Sequence, residues 1–353
     1  MRFQEEINDA IALLEQLIAI SSISKEEKNV ADFLERFVEL KGYTVSRKEN
    51  NLWMLSPGFD ADRPTILLNS HIDTVKPVAG WNHDPFKPVL VDGKLYGLGS
   101  NDAGASVVSL LATFFLLIEK QQSYNLIFSA SAEEEISGSN GIEKLLPELP
   151  KIDFALVGEP TGMNMAVAEK GLMVLDCNVN GQSGHAAGNE GVNAIYKALP
   201  IIEWFKNYEF SKKSDLLGAV KMTVTQINAG TQHNVIPDRC TFVVDVRSNE
   251  MYSNEEILQE IHSQIQCDCQ PRSTRLSSSV TPTDHSVIQR GRFLNRSIFG
   301  SPTLSDQALM PFPSIKMGPG QSVRSHSADE YIHVDEIGEA IEIYFQLLDG
   351  LKI

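Results

Sequence analysis

The sequence predicts an α/β protein: a mostly parallel sheet with flanking helices, interrupted by a smaller α+β unit. Three observations carry that expectation. Short apolar runs alternate with helical stretches through the first half of the chain, the pattern of parallel strands joined by crossover helices. From about Met173, strand-like runs surround only two helical stretches, as in a small antiparallel sheet. Near Thr283 the first pattern resumes and runs to the carboxyl end. The expected division is a discontinuous main domain, 1–173 and 284–353, with residues 174–283 inserted as a lid.

The elements follow in order. Ile7, Ile11, Leu14 and Ile18 recur at the spacing of one helix face. Ser24-Lys25-Glu26-Glu27 has the form of a capping box and opens a second helix that Gly42 closes. Segments 65–69, 126–132 and 154–157 are apolar and short, which suits buried strands. Segments 103–120 and 139–147 are expected as helices between them. In the insertion, 173–180, 220–228 and 241–247 are expected strands, and 190–206 and 254–266 helices. A last amphipathic helix spans 334–351.

The chain has 353 residues, 42% hydrophobic and 22% charged, an ordinary soluble composition long enough for two domains. Its net charge of −16 should repel nucleic acid and anionic membranes, so neither is expected as a partner. The most apolar stretch, 107–118, is too short to span a bilayer and reads as a buried helix. The first six residues lack the apolar core of a secretory signal. Four cysteines, Cys177, Cys240, Cys267 and Cys269, make no disulfide framework in a chain of this length, and a reducing cytoplasm is the expected location. Cys267-Asp268-Cys269 is a weak metal signal, because no second pair lies near it in sequence.

The chemistry concentrates at strand ends. Glu133-Glu134-Glu135 closes the apolar run 126–132. Three adjacent like charges repel and lose hydration if buried, so a compensating positive charge is expected nearby. His71-Ile72-Asp73 follows the run 65–69; side chains at i and i+2 share a strand face, so His71 can bind a metal while Asp73 orients it. Asp102 follows the glycine-containing Gly97-Leu98-Gly99 and precedes a helix, and by itself reads as a helix N-cap. Glu159 sits in a Gly/Pro turn after 154–157, and His326 precedes the last helix. Each residue alone has a bland structural reading. Together, two histidines and three carboxylates suit two zinc ions with one carboxylate shared, leaving one net positive charge that favours loss of a proton from water. A neighbouring glutamate can take that proton.

The ordered motifs Ser70-His71-Ile72-Asp73-Thr74-Val75, Tyr96-Gly97-Leu98-Gly99-Ser100-Asn101-Asp102, Ala132-Glu133-Glu134-Glu135-Ile136, Val157-Gly158-Glu159-Pro160-Thr161, Gly184-His185-Ala186-Ala187, Asn234-Val235-Ile236-Pro237 and Ser325-His326-Ser327-Ala328-Asp329-Glu330 resemble those of the zinc-dependent acetylornithine deacetylase and succinyl-diaminopimelate desuccinylase family. The family also includes aminoacylases and carboxypeptidases. The resemblance implies that His71 and Glu159 hold one zinc, Glu135 and His326 the other, and Asp102 both, with Co²⁺ able to substitute. It implies Glu134 as general base, Asp73 as support for His71, and His185 as a lid residue reaching the partner subunit's active site in a homodimer built through the lid. Lys170, Asn234, Arg247 and the loop 300–306, with Thr303 and Ser305, match substrate-binding positions. Arg324 is a further candidate partner for a substrate carboxylate. Ala103-Gly104-Ala105 departs from the acidic residue and lysine common in relatives.

The function expected from the sequence is hydrolysis of an N-acyl amino acid. N-acetyl- or N-succinyl-ornithine in arginine synthesis leads. A diaminopimelate or lysine substrate, a dipeptidase or aminopeptidase on the same fold, and a non-catalytic metal-binding protein stand as alternatives.

Overall fold

In a computed structural model describing residues 3–353, the chain divides into two compact units. Met1 and Arg2, the start of the segment read for a secretory signal, lie outside the described residues. One unit holds the residues up to Val167 with Val280–Phe299 and Ser305–Ile353; the other holds Ala168–Ser279 and Gly300–Leu304. The divisions fall a few residues before those expected, and residues 300–304 return to the second unit.

The first unit begins with α1 (Gln4–Ile18) and α2 (Lys28–Leu40). The expected capping box does not form: Ser24 donates instead to the carboxylate of Asp73 at 2.7 Å, and α2 starts after it. Lys25 has φ 76°, so no helix can begin across that residue. Strands β1 (Ser46–Lys48), β2 (Asn51–Leu55), β3 (Thr65–His71), β4 (Val89–Val91) and β5 (Lys94–Tyr96) follow, then α3 (Ala105–Ile118), β6 (Asn125–Ser131), α4 (Ile142–Leu145), β7 (Phe154–Val157) and β8 (Met165–Glu169). The main sheet runs β1-β2-β6-β3-β7, continued by the late strand Ser314–Lys316 and then β8. Its centre is parallel, because β3 pairs in parallel with both β6 and β7, while β1 and β2 are antiparallel. Every residue of β3, β6 and β7 is buried, which explains why these runs are apolar throughout rather than alternating. α3, apolar on nearly every face, packs on β3, β6, α1 and the carboxyl-terminal helix.

The second unit holds β9 (Leu172–Asn180), β10 (Gly184–His185), α5 (Ala194–Asn207), β11 (Lys221–Ala229), β12 (Val235–Ile236), β13 (Arg239–Arg247), α6 (Asn254–Gln264) and β14 (Asp268–Pro271). The order β11-β13-β9-β14 is antiparallel throughout. Burial alternates strictly along β9 and β13, so Met173, Leu175, Phe242 and Val244 line one face, with Phe205, Ile257 and Ile261 of α5 and α6 in the same core. Here the structure corrects the cysteine reading. Cys177 of β9 and Cys269 of β14 are directly opposite in register and form a disulfide. They are 92 residues apart in sequence, and only the strand pairing brings them together. Cys240 and Cys267 are free.

The chain continues through β15 (Ser279–Val280), α7 (Ser286–Phe293), β16 (Ile298–Ser301), β17 (Ser314–Lys316), β18 (Tyr331–His333) and α8 (Val334–Leu348). β18 pairs with β5, and β5 with β4, as a small separate sheet.

Leu67, fully buried in β3, should be essential to the first unit, whereas Leu40, 79% exposed at the end of α2, should not. In urea unfolding, Leu67→Ala should cost about 2–5 kcal/mol. Leu40→Ala should stay within about 0.5 kcal/mol.

Candidate metal centre

In the parallel part of the sheet, β3 lies between β6 and β7, although the chain visits β3 first. The chain therefore crosses from β3 to β6 on one side and then back over β3 to β7 on the other, and a cleft opens at the carboxyl ends of the three strands. His71 is the last residue of β3, Glu134 and Glu135 follow β6, and Glu159 follows β7. The small sheet supplies the rest. Pairing of β5 with β18 sets the loop after β5, which carries Asp102, beside the loop before β18, which carries His326.

The distances resolve two groups that share one residue. His71 Nε2 lies 3.2 Å from Asp102 Oδ1 and 3.6 Å from Glu159 Oε1. His326 Nε2 lies 2.8 Å from Glu135 Oε2 and 3.7 Å from Asp102 Oδ2. The two oxygens of Asp102 thus face different histidines. His71, Asp102 and Glu159 form one potential ligand set, and Asp102, Glu135 and His326 the other. Imidazole and carboxylate donors suit a zinc-like divalent cation. Glu159 Oε1 is buried with no hydrogen-bond partner, a costly state that a cation would relieve.

The surroundings aim these groups. His71 Nδ1 lies 2.9 Å from the carbonyl of Asp73. A carbonyl can only accept, so Nδ1 carries the proton and Nε2 faces the ligand set. The Asp73 carboxylate receives the amides of Glu134 at 3.0 Å and Glu135 at 3.2 Å, and the Ser24 hydroxyl. One residue thus fixes both, the histidine through its backbone carbonyl and the glutamate turn through its carboxylate. Glu133 points elsewhere, to the side-chain amide of Asn140 at 2.9 Å, and an added Cβ at Gly138 would strike it.

Metal-free, this is an electrostatically frustrated site. Burial, reinforced by Asp102, pushes Glu159 up to about 8. Burial, with the charge of Glu159, raises Glu134 well above the carboxylate range, and burial also raises Glu135. The hydrogen bond to Glu135 pushes His326 up to about 9. Burial opposes the protonated form of His71, but Asp102, Asp73 and the neighbouring glutamates outweigh it and hold its pKa high.

Sequence reasoning missed two participants. Ser24 looked like a helix cap. Asp306, buried and held by Asn69 at 2.8 Å and Ser131 at 2.6 Å, is pushed up to about 6 by burial, and its charge raises Glu134 further. It lies 235 residues along the chain from His71, and the motifs marked it only as the last residue of the loop 300–306, with no role beside the glutamates.

The expected substrate residues fall in both units. Arg324 is committed to Glu336 at 2.6 Å and lies over the Tyr331 ring, so it is not presented as an open cation. Ser305 Oγ accepts the Gln307 amide at the start of a short turn. In the second unit, His185 and Asn234 meet on one ladder: His185 pairs with Val235, and the Asn234 carbonyl accepts the Ala186 amide at 2.9 Å. Thr303 Oγ1 lies 3.0 Å from Ser301 Oγ. Lys170 donates to the Ala219 carbonyl, and Arg247 forks onto Asp245. Burial, then the charges of Lys221 and Arg247, lower the Lys170 pKa; Lys221 and Arg247 are register partners.

The chain is similar to known proteins over most of its length. The model of peptidase family M20/M25/M40 matches residues 67–350. The chain is 26% identical to a succinyl-diaminopimelate desuccinylase of Wolbachia pipientis wMel, over 97% of this chain and 93% of that one. A Rickettsia felis protein of the same name is 23% identical over 96% and 98%. Aminopeptidase PepT from Bacillus cereus ATCC 10987 shares the fold with TM-score 0.78 and 18% identity, covering 97% of this chain and 98% of that one. The Bacillus subtilis YXEP protein, described as a dinuclear metal-binding peptidase, superposes with TM-score 0.75 at 16% identity over 98% of each chain. The named relatives are thus desuccinylases of diaminopimelate rather than the ornithine enzymes favoured by the motifs.

The raised pKa values of Glu159 and His326 fix a sign. Both lie above their unfolded values, so their stabilising protonation is complete below the unfolded pKa values and is lost as pH rises through about 8 to 9. Metal-free protein should therefore lose stability across that window. Metal, which displaces those protons, should bind more tightly there. Thermal unfolding at pH 6 and pH 9, with and without Zn²⁺, should show the metal-dependent increase growing with pH; at a hundredfold excess over Kd the increase corresponds to about 2.7 kcal/mol.

Proposed function

Because the chain belongs to peptidase family M20/M25/M40, metallo-hydrolases that act on amide bonds, we propose that it removes the acyl group from an N-acyl amino acid, with an N-succinyl diamino acid as the leading substrate class. The observation that carries the reading is the division of Asp102 between His71 and His326.

Zinc is the proposed metal, with Co²⁺ as a substitute. His71, Asp102 and Glu159 would hold one ion, and Asp102, Glu135 and His326 the other. Bound there, the pair would supply Lewis acidity toward the amide carbonyl and lower the pKa of a water to about 7. The remaining chemistry belongs to the chain. Glu134 Oε2 is 3.9 Å from His71 Nε2 and is not among either ligand set, so it is free to take a proton from the attacking water. The same carboxyl group can then hand that proton to the leaving amine. Asp73 keeps Glu134 and His71 in register, the first through its carboxylate and the second through its backbone carbonyl. His185 is proposed to polarise the scissile carbonyl from the partner subunit.

A succinyl group adds a carboxylate that an acetyl group lacks. Lys170 and Arg247, which match substrate-binding positions in the motifs, are the proposed cations for it. The names of the curated relatives support the same acyl group. N-succinyl- and N-acetyl-ornithine stay in the substrate panel on the strength of the motifs. Peptide hydrolysis is the second reading, favoured by the aminopeptidase among the similar structures. A homodimer through the second unit is part of the proposal. β11 ends the order of that sheet, and Ile227, Tyr196 and Leu199 are exposed on β11 and α5.

Metal-loaded protein should hydrolyse N-succinyl-diaminopimelate or N-succinyl-ornithine faster than the N-acetyl compounds and faster than di- and tripeptides. Peptide activity without deacylation would replace this reading with the second one. Glu134→Gln should lower kcat by about 10²–10⁴ while metal still binds.

A further inference from the structure

Glu330 has no place in the mechanism above, yet it is 2% exposed and lies four residues beyond His326. Its carboxylate gathers three backbone donors from the loop that ends at Asp102. Oε2 accepts the Gly99 amide at 3.1 Å. Oε1 accepts the amides of Asn101 and Asp102, both at 2.9 Å. The Gly97 amide donates to the Glu330 carbonyl at 3.0 Å. The same two loops are tied a second time through Asn101. Its side-chain amide donates to the Gln321 carbonyl at 3.1 Å and to Ser325 Oγ at 3.2 Å, and its Oδ1 accepts the Gln321 amide at 3.0 Å.

A purely structural tie would not need a charge here. A buried carboxylate is expensive. What the carboxylate supplies is acceptor capacity on both oxygens. An amide side chain offers one oxygen, and its NH₂ group would face at least one backbone donor. Only a carboxylate satisfies all three amides, and one of these belongs to Asp102 itself.

We propose that Glu330 is a positioning residue that latches the Asp102 loop to the His326 loop and so presets the geometry of the shared metal ligand. The inference rests on the dinuclear reading of the site. Without the latch, the loops bearing Asp102 and His326 lose their common anchor, although every ligand remains. The effect expected is on metal affinity first, and on catalysis only through it.

The test is titration of metal-free protein with Zn²⁺ or Co²⁺ by calorimetry, together with hydrogen exchange at single amides. Wild type should bind two ions and protect the amides of Gly99, Asn101 and Asp102. Glu330→Gln should weaken at least one binding step by about 10–100-fold and unprotect at least one of those amides, with unchanged far-ultraviolet circular dichroism. Glu330→Asp, which keeps the charge but shortens the reach, should do the same and serves if the Gln variant does not fold. Unchanged affinities with unchanged protection would overturn the latch. So would unprotected amides in wild type, whatever the variants do. Wild type binding fewer than two ions would instead overturn the dinuclear reading, while the exchange data still judge the latch.

Discussion

One carboxylate facing two histidines is the constraint on which the rest of the site depends. Asp102 can present an oxygen to each of His71 and His326 only if three strand ends and two loops meet within a few ångströms. The price is a buried crowd of acids: Glu134, Glu135, Glu159, Asp306 and Glu330 all have raised pKa values, with burial the first cause in each case. Such a cluster is unstable without positive charge. Hydrogen bonds from backbone amides relieve part of it, at Asp73 and Glu330, and protons on the histidines relieve more. Two divalent cations would relieve the remainder. The repulsion within Glu133-Glu134-Glu135 is solved differently for each member. Glu133 turns to Asn140, Glu135 meets His326, and Glu134 stays in the cleft.

Much of this was legible in the sequence, for reasons of periodicity. Fully buried parallel strands such as β3, β6 and β7 must be apolar throughout, and so their runs stand out. The second unit, buried on one face, shows alternation instead. Polar groups at strand ends break an apolar run abruptly, which is why His71, Glu134, Glu135 and Glu159 could be placed. Asp102 and His326 lie in loops, where a polar residue has many ordinary explanations; the ordered motifs, not local pattern, singled them out.

What stayed hidden depends on distant pairing. Ser24 carries the signature of a cap, but a carboxylate acceptor at Asp73 competes successfully for its hydroxyl. Asp306 and Glu330 act on residues more than 170 positions away. The disulfide follows from the register of β14 on β9, which no spacing rule reveals. Arg324, attractive as a free cation, is already matched to Glu336. In each case the side-chain chemistry was visible and the partner was not.

The two-ion site is most directly tested by anomalous diffraction from crystals grown with Zn²⁺. Two peaks are expected on opposite sides of the Asp102 carboxylate, about 3.5–4 Å apart. One should lie against His71 and Glu159, the other against Glu135 and His326. A single peak, or two peaks that do not share Asp102, would contradict the shared-carboxylate centre.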